Sequence, residues 1–287
     1  MRKHTYSVFE HCTSCLLLLL LTICWDTALA ADSAPLSAAS SLSPHSVSYN
    51  AGLYSQYMYR GMTQTAGGPA IQGGVDYSHA KGFYFGAWAS NISWLQDNAS
   101  YAHSVVEFDY YGGYANTVAH TDYKYNLGVA QYSYPGRSNP NSNLASPDTT
   151  ELIGQLNYKW LTGIAHYTVS VQDSQIANAR GSYYVEINAD TPLAETEFIV
   201  NLHGGYQYYA GSAPLNEPCP TGQTDNNSCY GYVDWKIGIT KSFPKSINVG
   251  AFYTFTNATA SNYLINNEFI GKNYFTVYVQ KIWDNGN

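Results

Sequence analysis

Charged residues are scarce in this chain of 287 residues, since Asp, Glu, Lys and Arg together make up 11% of it. Ordinary soluble domains carry about 25%. The formal net charge is −7 and no basic cluster occurs, which argues against a nucleic-acid partner. Long apolar runs are also missing. After the first thirty residues no stretch approaches the length of about 18 consecutive apolar residues that a transmembrane helix requires.

The first thirty residues have the composition of a cleaved export signal. A short basic stretch precedes the apolar run Cys15–Ile23, and Ala28-Leu29-Ala30 supplies the small-x-small pattern that a signal peptidase recognises. An uncleaved anchor is the alternative, but the run is too short to span about 30 Å of hydrocarbon. We therefore predict a signal peptide over 1–30 and a flexible N-terminal arm over 31–45.

Cysteine is nearly absent from the exported part of the chain. Of the five cysteines, three lie in the predicted signal, so only Cys219 and Cys229 remain. They are ten residues apart in a stretch rich in Pro, Gly and Asn, which predicts a disulfide that closes a surface loop in an oxidising compartment. A metal site is the weaker alternative, because no histidine lies nearby at ligand spacing.

Tyrosine, in contrast, is abundant, with 28 residues, and it occurs in short segments that alternate apolar and polar residues. An apolar ring with a polar hydroxyl suits the two interfaces of a bilayer. The alternation predicts an all-β fold, a transmembrane antiparallel up-and-down barrel of about twelve strands over 46–287. The predicted strands are 46–62, 69–78, 83–90, one around Val106–Tyr111, 122–134, 149–160, 163–171, 182–190, 197–208, 231–241, 247–256 and 274–283.

The gaps between these segments alternate in length, which is typical of a barrel with short periplasmic turns and long extracellular loops. Short gaps fall at 79–82, 115–121, 161–162, 191–196 and 242–246, and long ones at 91–104, 135–148, 172–181, 209–230 and 257–273. Only the first outer loop, Thr63–Gly68, is expected to be modest. A soluble β-sandwich would also alternate, but it would explain neither the tyrosine surplus nor the loop asymmetry.

Several short motifs resemble the TorF-like porin family, a proteobacterial outer-membrane family formerly catalogued as a conserved protein of unknown function. The resemblance extends over about 46–283. It implies an outer-membrane, channel-like barrel and brings neither a substrate nor catalytic residues. The motifs include Asn50-Ala-Gly-Leu53, Tyr59-Arg-Gly-Met-Thr-Gln64, Pro69-Ala-Ile-Gln-Gly-Gly74, Gly82-Phe-Tyr-Phe-Gly86, Trp88-Ala-Ser-Asn91, Tyr134-Pro-Gly136, Gly181-Ser-Tyr-Tyr184 and Asp234-Trp-Lys236.

The polar positions of the alternating strands are the candidates for the lining of a pore. Interior packing is an equally weighted alternative, because a narrow barrel also fills its interior with paired charges and tyrosines. Arg60 and the pair Glu107 and Asp109 are the first candidates, since Arg opposite carboxylates sets a transverse field in a filter. The full set is Arg60, Asp76, Glu107, Asp109, Asp122, Lys124, Glu151, Lys159, Glu186, Asp234 and Lys236.

We therefore expect a passive outer-membrane channel for small hydrophilic solutes or ions, weakly cation-preferring, without cofactor or metal. Its expected partners are outer-membrane lipid, the solutes, and the barrel-assembly machinery. The alternative is a non-conducting surface barrel whose loops bind or adhere to an external partner. A barrel enzyme is disfavoured, because His166 and Ser170 on one strand face would be about 13 Å apart, too far for the histidine to activate the hydroxyl.

Overall fold

A computed structural model describes residues 43–214, 219 and 221–284, in which twelve long antiparallel strands close into one barrel. This confirms the predicted fold. The wall strands are β1 (His45–Tyr54), β2 (Ala70–His79), β3 (Phe83–Asn91), β4 (Val106–Thr117), β5 (Tyr123–Ser133), β6 (Thr149–Tyr158), β7 (Leu161–Thr168), β8 (Tyr183–Pro192), β9 (Phe198–Tyr208), β10 (Tyr232–Phe243), β11 (Ile247–Thr256) and β12 (Tyr274–Asp284). Each strand pairs with its neighbours in sequence, and β1 pairs with β12 to close the wall.

The two faces of the wall differ as the alternation predicts. Leu127, Ile187 and Phe275 point outward and are exposed by 61, 61 and 62%. Their strand neighbours Asn126, Glu186 and Thr276 are polar, point inward and are buried. A continuous apolar exterior around a polar interior reverses the arrangement of a soluble domain, and it suits a barrel surrounded by lipid. Among the residues described, no helix is long and apolar enough to cross a membrane.

The first predicted strand, 46–62, is wrong at its C-terminal end. The wall strand stops at Tyr54, and the chain then turns into the lumen before it rejoins the wall at Ala70. Tyr57 and Tyr59, predicted to face outward, therefore lie inside the barrel. Arg60 and Gly61 both have positive φ angles, and such a left-handed turn cannot be part of an extended wall strand.

The connections divide into two ends of the barrel. One end carries tight turns such as 80–82 and 159–160, and the other carries the long connections 92–105, 134–148, 169–182, 209–231 and 257–273. This confirms the predicted asymmetry. His45, placed in the flexible arm by the sequence, already pairs with His79 in the wall. The predicted signal peptide and arm residues 31–42 lie outside the described residues.

The long connections contain small elements and contact one another. The short strands are Met58–Tyr59 with Met62–Thr63, Tyr101–His103 with Arg137–Ser138, and Leu264–Ile265 with Glu268–Phe269, and the helical turns are Trp94–Asp97, Asn226–Tyr230 and Ala260–Asn262. Asparagine side chains join separate connections: the Asn226 amide donates to the Ala177 and Ala210 carbonyls, and the Asn98 amide donates to Gln175. We call the long connections 92–105, 134–148, 169–182, 209–231 and 257–273 together the loop-end cap.

The predicted disulfide is confirmed. Cys219 and Cys229 are bonded, with their Cα atoms 6.0 Å apart, in the connection between β9 and β10. Asp225 begins the short helix that carries Cys229, because its carboxylate accepts hydrogen bonds from the Ser228 amide and hydroxyl. The bridge therefore closes one loop of the cap and lies outside the barrel wall.

Candidate functional site

The segment that leaves the wall after β1 forms a hairpin inside the lumen, which we call the inner hairpin (residues 55–69). Its two short strands pair Met58 with Thr63 and Tyr59 with Met62. The side chains of 56–58, 60 and 62–65 are all buried. The inner hairpin is joined to the cap by backbone hydrogen bonds. The Thr63 amide donates to the Ile270 carbonyl, and the Ser93 and Trp94 amides both donate to the Gln64 carbonyl. It therefore crosses the lumen at the loop end.

Arg60 at the hairpin tip contacts the far wall. Its guanidinium donates both hydrogen bonds of one nitrogen to Glu151, at 3.0 and 2.8 Å, and a bond of the other to Gln207 at 2.9 Å. The guanidinium also lies over the Tyr184 ring, 4.4 Å from its centroid. The Arg60 carbonyl accepts a hydrogen bond from the Tyr232 hydroxyl. A buried ion pair of this geometry holds the tip of the hairpin in one position and balances the charge of the guanidinium.

The tip can approach the wall so closely because the next residue is glycine. Gly61 has φ +76°, and a Cβ at this position would lie 2.5 Å from the Thr256 methyl and 2.8 Å from the Asp234 Cβ. Only a residue without a side chain fits both the left-handed conformation and the gap. The Arg60-Gly61 pair thus places the positive charge against the wall.

Glu151 is the first member of a row that continues along the lumen wall. His166 lies between Glu151 and Glu186, with Nδ1 3.1 Å from one carboxylate and Nε2 3.2 Å from the other. His203 lies between Glu186 and Asp234, at 3.2 and 2.9 Å. The five residues come from the consecutive strands β6 to β10, each two residues diagonal to the last. We call them the carboxylate–histidine belt.

The hydrogen bonds of the belt constrain the protonation of its two histidines. An ionised carboxylate only accepts, and a neutral imidazole has one donor and one acceptor nitrogen. Both nitrogens of His166 face carboxylates, while Nδ1 of His203 lies 2.7 Å from the Asn188 amide oxygen and 3.2 Å from Glu186, and its Nε2 faces Asp234. Because all these oxygens are acceptors, every contact is satisfied when each ring carries two protons. With Arg60 at one end, positive and negative groups then alternate along the belt. Such alternation offsets the large cost of burying each charge alone.

Glu107 and Asp109 lie on β4, two strands from Glu151, and have fewer hydrogen-bond partners than the belt residues. Glu107 accepts a hydrogen bond from the Tyr57 hydroxyl at 3.2 Å. Asp109 is 0% exposed, and neither of its carboxylate oxygens has a hydrogen-bond partner among the described residues. Its wall neighbours are the aromatic residues Trp88 and Tyr132. The structure therefore places two carboxylates in an aromatic part of the lumen.

The remaining predicted pore residues fall into two groups. Asp76 accepts a hydrogen bond from the Tyr111 hydroxyl in the lumen, and Asp234 and Lys236 are buried there. Asp122 and Lys159 are instead exposed in turns at the turn end, with Nζ and Oδ2 3.7 Å apart. Lys124 is the second residue of β5, at the same end of the barrel. These three residues lie away from the inner hairpin.

The belt histidines were not among the predicted pore residues, although His166 and His203 lie at polar positions of their strands. Residue spacing alone could have indicated the arrangement, because acid and histidine alternate on successive strands. Asp190 was also missed, and its carboxylate accepts a hydrogen bond from the Asn201 amide. The Ser170 hydroxyl donates to the Gln172 carbonyl, so it is not directed at His166.

The cap contributes one buried acid above the belt. Asp173 accepts hydrogen bonds from the Thr168 and Ser174 hydroxyls. Burial raises the pKa of this carboxyl to about 6, and the nearby Glu151 charge acts in the same direction. Over the part of the chain that the structure covers, no group of three or more His, Cys, Asp or Glu residues is arranged to hold a metal ion.

The sequence from residue 38 to residue 283 matches the family described as "Bacterial protein of unknown function (Gcw_chp)". The chain belongs to this family. The match covers the whole barrel, including the inner hairpin and the belt of this Gcw_chp chain. The family description agrees with the resemblance noted above in naming a bacterial family without a known function, and it does not use the TorF-like name. No curated protein matches the chain.

Three solved structures similar to this Gcw_chp chain are two of a KdgM porin and one of an outer membrane protein, all of distant sequence. A KdgM porin covers 82% of this chain and 98% of its own, with 10% identity and a TM-score of 0.45. A KdgM porin in complex with disordered oligogalacturonate has the same coverage, 11% identity and a TM-score of 0.44. The outer membrane protein OprD from Pseudomonas aeruginosa shows 13% identity and a TM-score of 0.38, over 83% of this chain and 65% of its own.

Proposed function

We propose that the protein is a narrow, porin-like passive channel of the outer membrane for ions and small hydrophilic solutes. In this proposal the chain is exported by its signal peptide and inserted by the barrel-assembly machinery, and it acts without cofactor or catalytic step. It also assigns the chain to the TorF-like porins. The observation that carries the proposal is the charged belt facing Arg60 inside a barrel with an apolar exterior.

Physical chemistry supports a conducting role for this interior. A barrel of about eight strands is filled by side chains, and one of sixteen holds a wide channel, so twelve strands leave an intermediate lumen. Rings of charged side chains are a common means of selecting ions. A belt of buried charges is costly to maintain, and an interior needed only for packing could use apolar residues at lower cost.

The proposed channel prefers cations. The acidic side chains directed into the lumen outnumber the basic ones even when both histidines are charged. The acids are Asp76, Glu107, Asp109, Glu151, Glu186, Asp190 and Asp234, against Arg60 and Lys236. A surplus of carboxylates raises the local concentration of cations, and salt screens this effect. The preference should therefore be strongest at low ionic strength.

Single-channel recording in planar bilayers tests the proposal. The refolded protein should give discrete conductance steps, and the reversal potential across a salt gradient should have the sign of a cation-preferring pore. Detergent-solubilised protein that has been heated provides the control, because it contains no closed barrel. A hairpin-shortened variant has residues 56–68 replaced by a short Gly-Ser turn. If neither this variant nor the wild type gave conductance steps, the channel function would be refuted.

A second function is favoured by one observation, namely that the inner hairpin and the loop-end cap together cover the loop end of the lumen. A covered lumen suits a non-conducting surface barrel that uses the cap to bind an external partner. The same hairpin-shortened variant distinguishes the two functions. If it remains non-conducting while the barrel is intact, the surface-binding function is the better account.

A further inference from the structure

The inner hairpin can leave the lumen without breaking the barrel wall. Strands β1 and β2 pair directly from His45 with His79 to Tyr54 with Ala70, so the wall is closed behind the hairpin. No wall ladder includes a residue of 56–69. Withdrawal would therefore break no strand pairing. It would break the contacts that the hairpin makes with the cap and with groups that face the lumen, which include the Phe275 carbonyl that accepts a hydrogen bond from the Gln56 amide.

Those contacts are both apolar and polar. Tyr57, Met58 and Met62 are buried among aromatic and apolar side chains of the lumen and the cap, and the Tyr57 ring lies 5.5 Å from that of Trp88. Gln56 donates to Thr276, Tyr57 to Glu107, and Tyr232 to the Arg60 carbonyl, each as a neutral donor. The bonds of Gln56 to Thr276 and of Tyr232 to the Arg60 carbonyl join neutral groups and contribute little net free energy, because water replaces them on exposure. The Arg60–Glu151 pair differs, since both of its charges are buried.

The acceptor of this pair is held rigidly by the wall. Glu151 also accepts a hydrogen bond from the Tyr132 hydroxyl at 3.1 Å, and its other neighbour is His166 of the belt. The donor is at the tip of a loop. A fixed carboxylate on the wall and a guanidinium on a loop that the wall does not require form the two halves of a latch.

We propose that the inner hairpin is a displaceable plug of the lumen and that the Arg60–Glu151 pair is the latch that keeps it in place. The proposal rests on the channel function above and names its regulation. With the latch closed, the hairpin crosses the lumen. Loss of either charge removes the ion pair that anchors the hairpin to the wall, and loss of the Glu151 charge also leaves the Arg60 guanidinium buried without its carboxylate. Both changes favour the withdrawn position of the hairpin.

A cysteine introduced into the hairpin reports its position independently of conductance. Thr63→Cys is close to isosteric, and Thr63 is 1% exposed when the hairpin is docked. The native cysteines of the barrel are bonded to each other and do not react. The probe is a membrane-impermeant maleimide added to refolded, non-reduced protein in liposomes. Heat-dependent migration on SDS gels confirms that each variant contains a closed barrel.

Labelling of the Thr63→Cys protein should be about tenfold or more faster when Glu151→Gln or Arg60→Gln is added than in the parent. In the variant that carries both added changes it should be slower than with Glu151→Gln alone, because no charge is then left unpaired at this contact. The matched control is Asp122→Asn with Lys159→Gln, which neutralises an exposed ion pair at the turn end and should leave labelling unchanged.

Three outcomes are possible. Faster labelling together with larger or more frequent conductance steps supports both the latch and the channel. Unchanged labelling with either single charge change overturns the latch, whatever the conductance. Faster labelling without conductance in any variant supports a displaceable hairpin and refutes the channel, so the two failures are distinguishable.

Discussion

The guanidinium of Arg60 and the carboxylate of Glu151 meet inside the barrel at 2.8 Å, although 91 residues separate them in the chain. One residue is on a loop that enters the lumen, and the other is on the far wall. Their contact links the inner hairpin to the carboxylate–histidine belt. Most of the testable consequences of this fold follow from that contact.

The pair should be strongly coupled in stability. Removing one partner leaves a buried charge, so Glu151→Gln should lower the free energy of unfolding by about 3–5 kcal/mol, and the Arg60→Gln/Glu151→Gln double variant by less than the sum of the single changes. Urea titration of tryptophan fluorescence in a fixed detergent provides the measurement. Strict additivity of the two changes would contradict a direct interaction.

Gly61 should tolerate no side chain. In Gly61→Ala the new methyl would contact Thr256 and Asp234, and the backbone would keep an unfavourable φ, for a cost of about 1–3 kcal/mol. Gly222→Ala is the control, because Gly222 has φ +77° and nothing within 4 Å of its would-be Cβ. Comparison of the two in the same urea titration separates packing from backbone strain. Equal losses would show that the contact with the wall is unimportant.

Ion selectivity should follow the carboxylates beside the hairpin. Replacement of Glu107 and Asp109 by Gln and Asn should shift the reversal potential toward that of a non-selective pore, and Arg60→Gln should shift it toward stronger cation preference. The shifts should shrink near molar salt, because mobile ions then screen the potential of the lumen. The Asp122→Asn/Lys159→Gln variant should resemble the wild type. Anion preference in the wild type would contradict the proposed selectivity.

The cap should lose stability as the pH rises. The pKa of Asp173 is about 6 in the folded protein, against 3.8 ordinarily, so the folded state keeps its proton longer than the open loop does. Stability from this group is therefore greatest below about pH 4, falls between about pH 4 and 6, and is then constant, with a total loss of about 3 kcal/mol. Amide exchange in 169–182, corrected for intrinsic rates, should show this fall, and Asp173→Asn should abolish it. If amide exchange in the wild type did not change with pH after this correction, the contribution of Asp173 would be excluded.

The disulfide should matter only locally. Replacement of both Cys219 and Cys229 by Ser should leave the barrel able to form and to show heat-dependent migration on SDS gels, while the loop between β9 and β10 loses about 2–3 kcal/mol. Limited proteolysis should cut the variant faster in this loop and at an unchanged rate elsewhere. Failure of the variant to form a barrel would show that the bridge supports the wall.

Much of the wall follows from the sequence. Leu127, Ile187 and Phe275 could be assigned to the outer face because side chains alternate across a strand with a period of two. The short turns and the long loops could be predicted as well, because the gaps between the alternating segments of the sequence show the length of each connection. For the same reason Glu107, Glu151 and Glu186 could be placed on the lumen face.

The inner hairpin could not be predicted, because its tyrosines continue the alternation of β1 past Tyr54. Alternation with a period of two indicates the face on which a residue would lie in a strand, but it does not indicate where the strand ends. What removes the hairpin from the wall is the direct pairing of Tyr54 with Ala70, a contact between separate parts of the chain.

The sequence by itself therefore determined a closed barrel with an apolar exterior, two unlike ends and a disulfide loop, because each of these depends on local period, composition or spacing. Only the tertiary structure decided that Arg60 meets Glu151 and that two histidines join three carboxylates into a belt. Those contacts depend on the register and closure of strands far apart in sequence, and in a closed barrel every register is set jointly by all the strands.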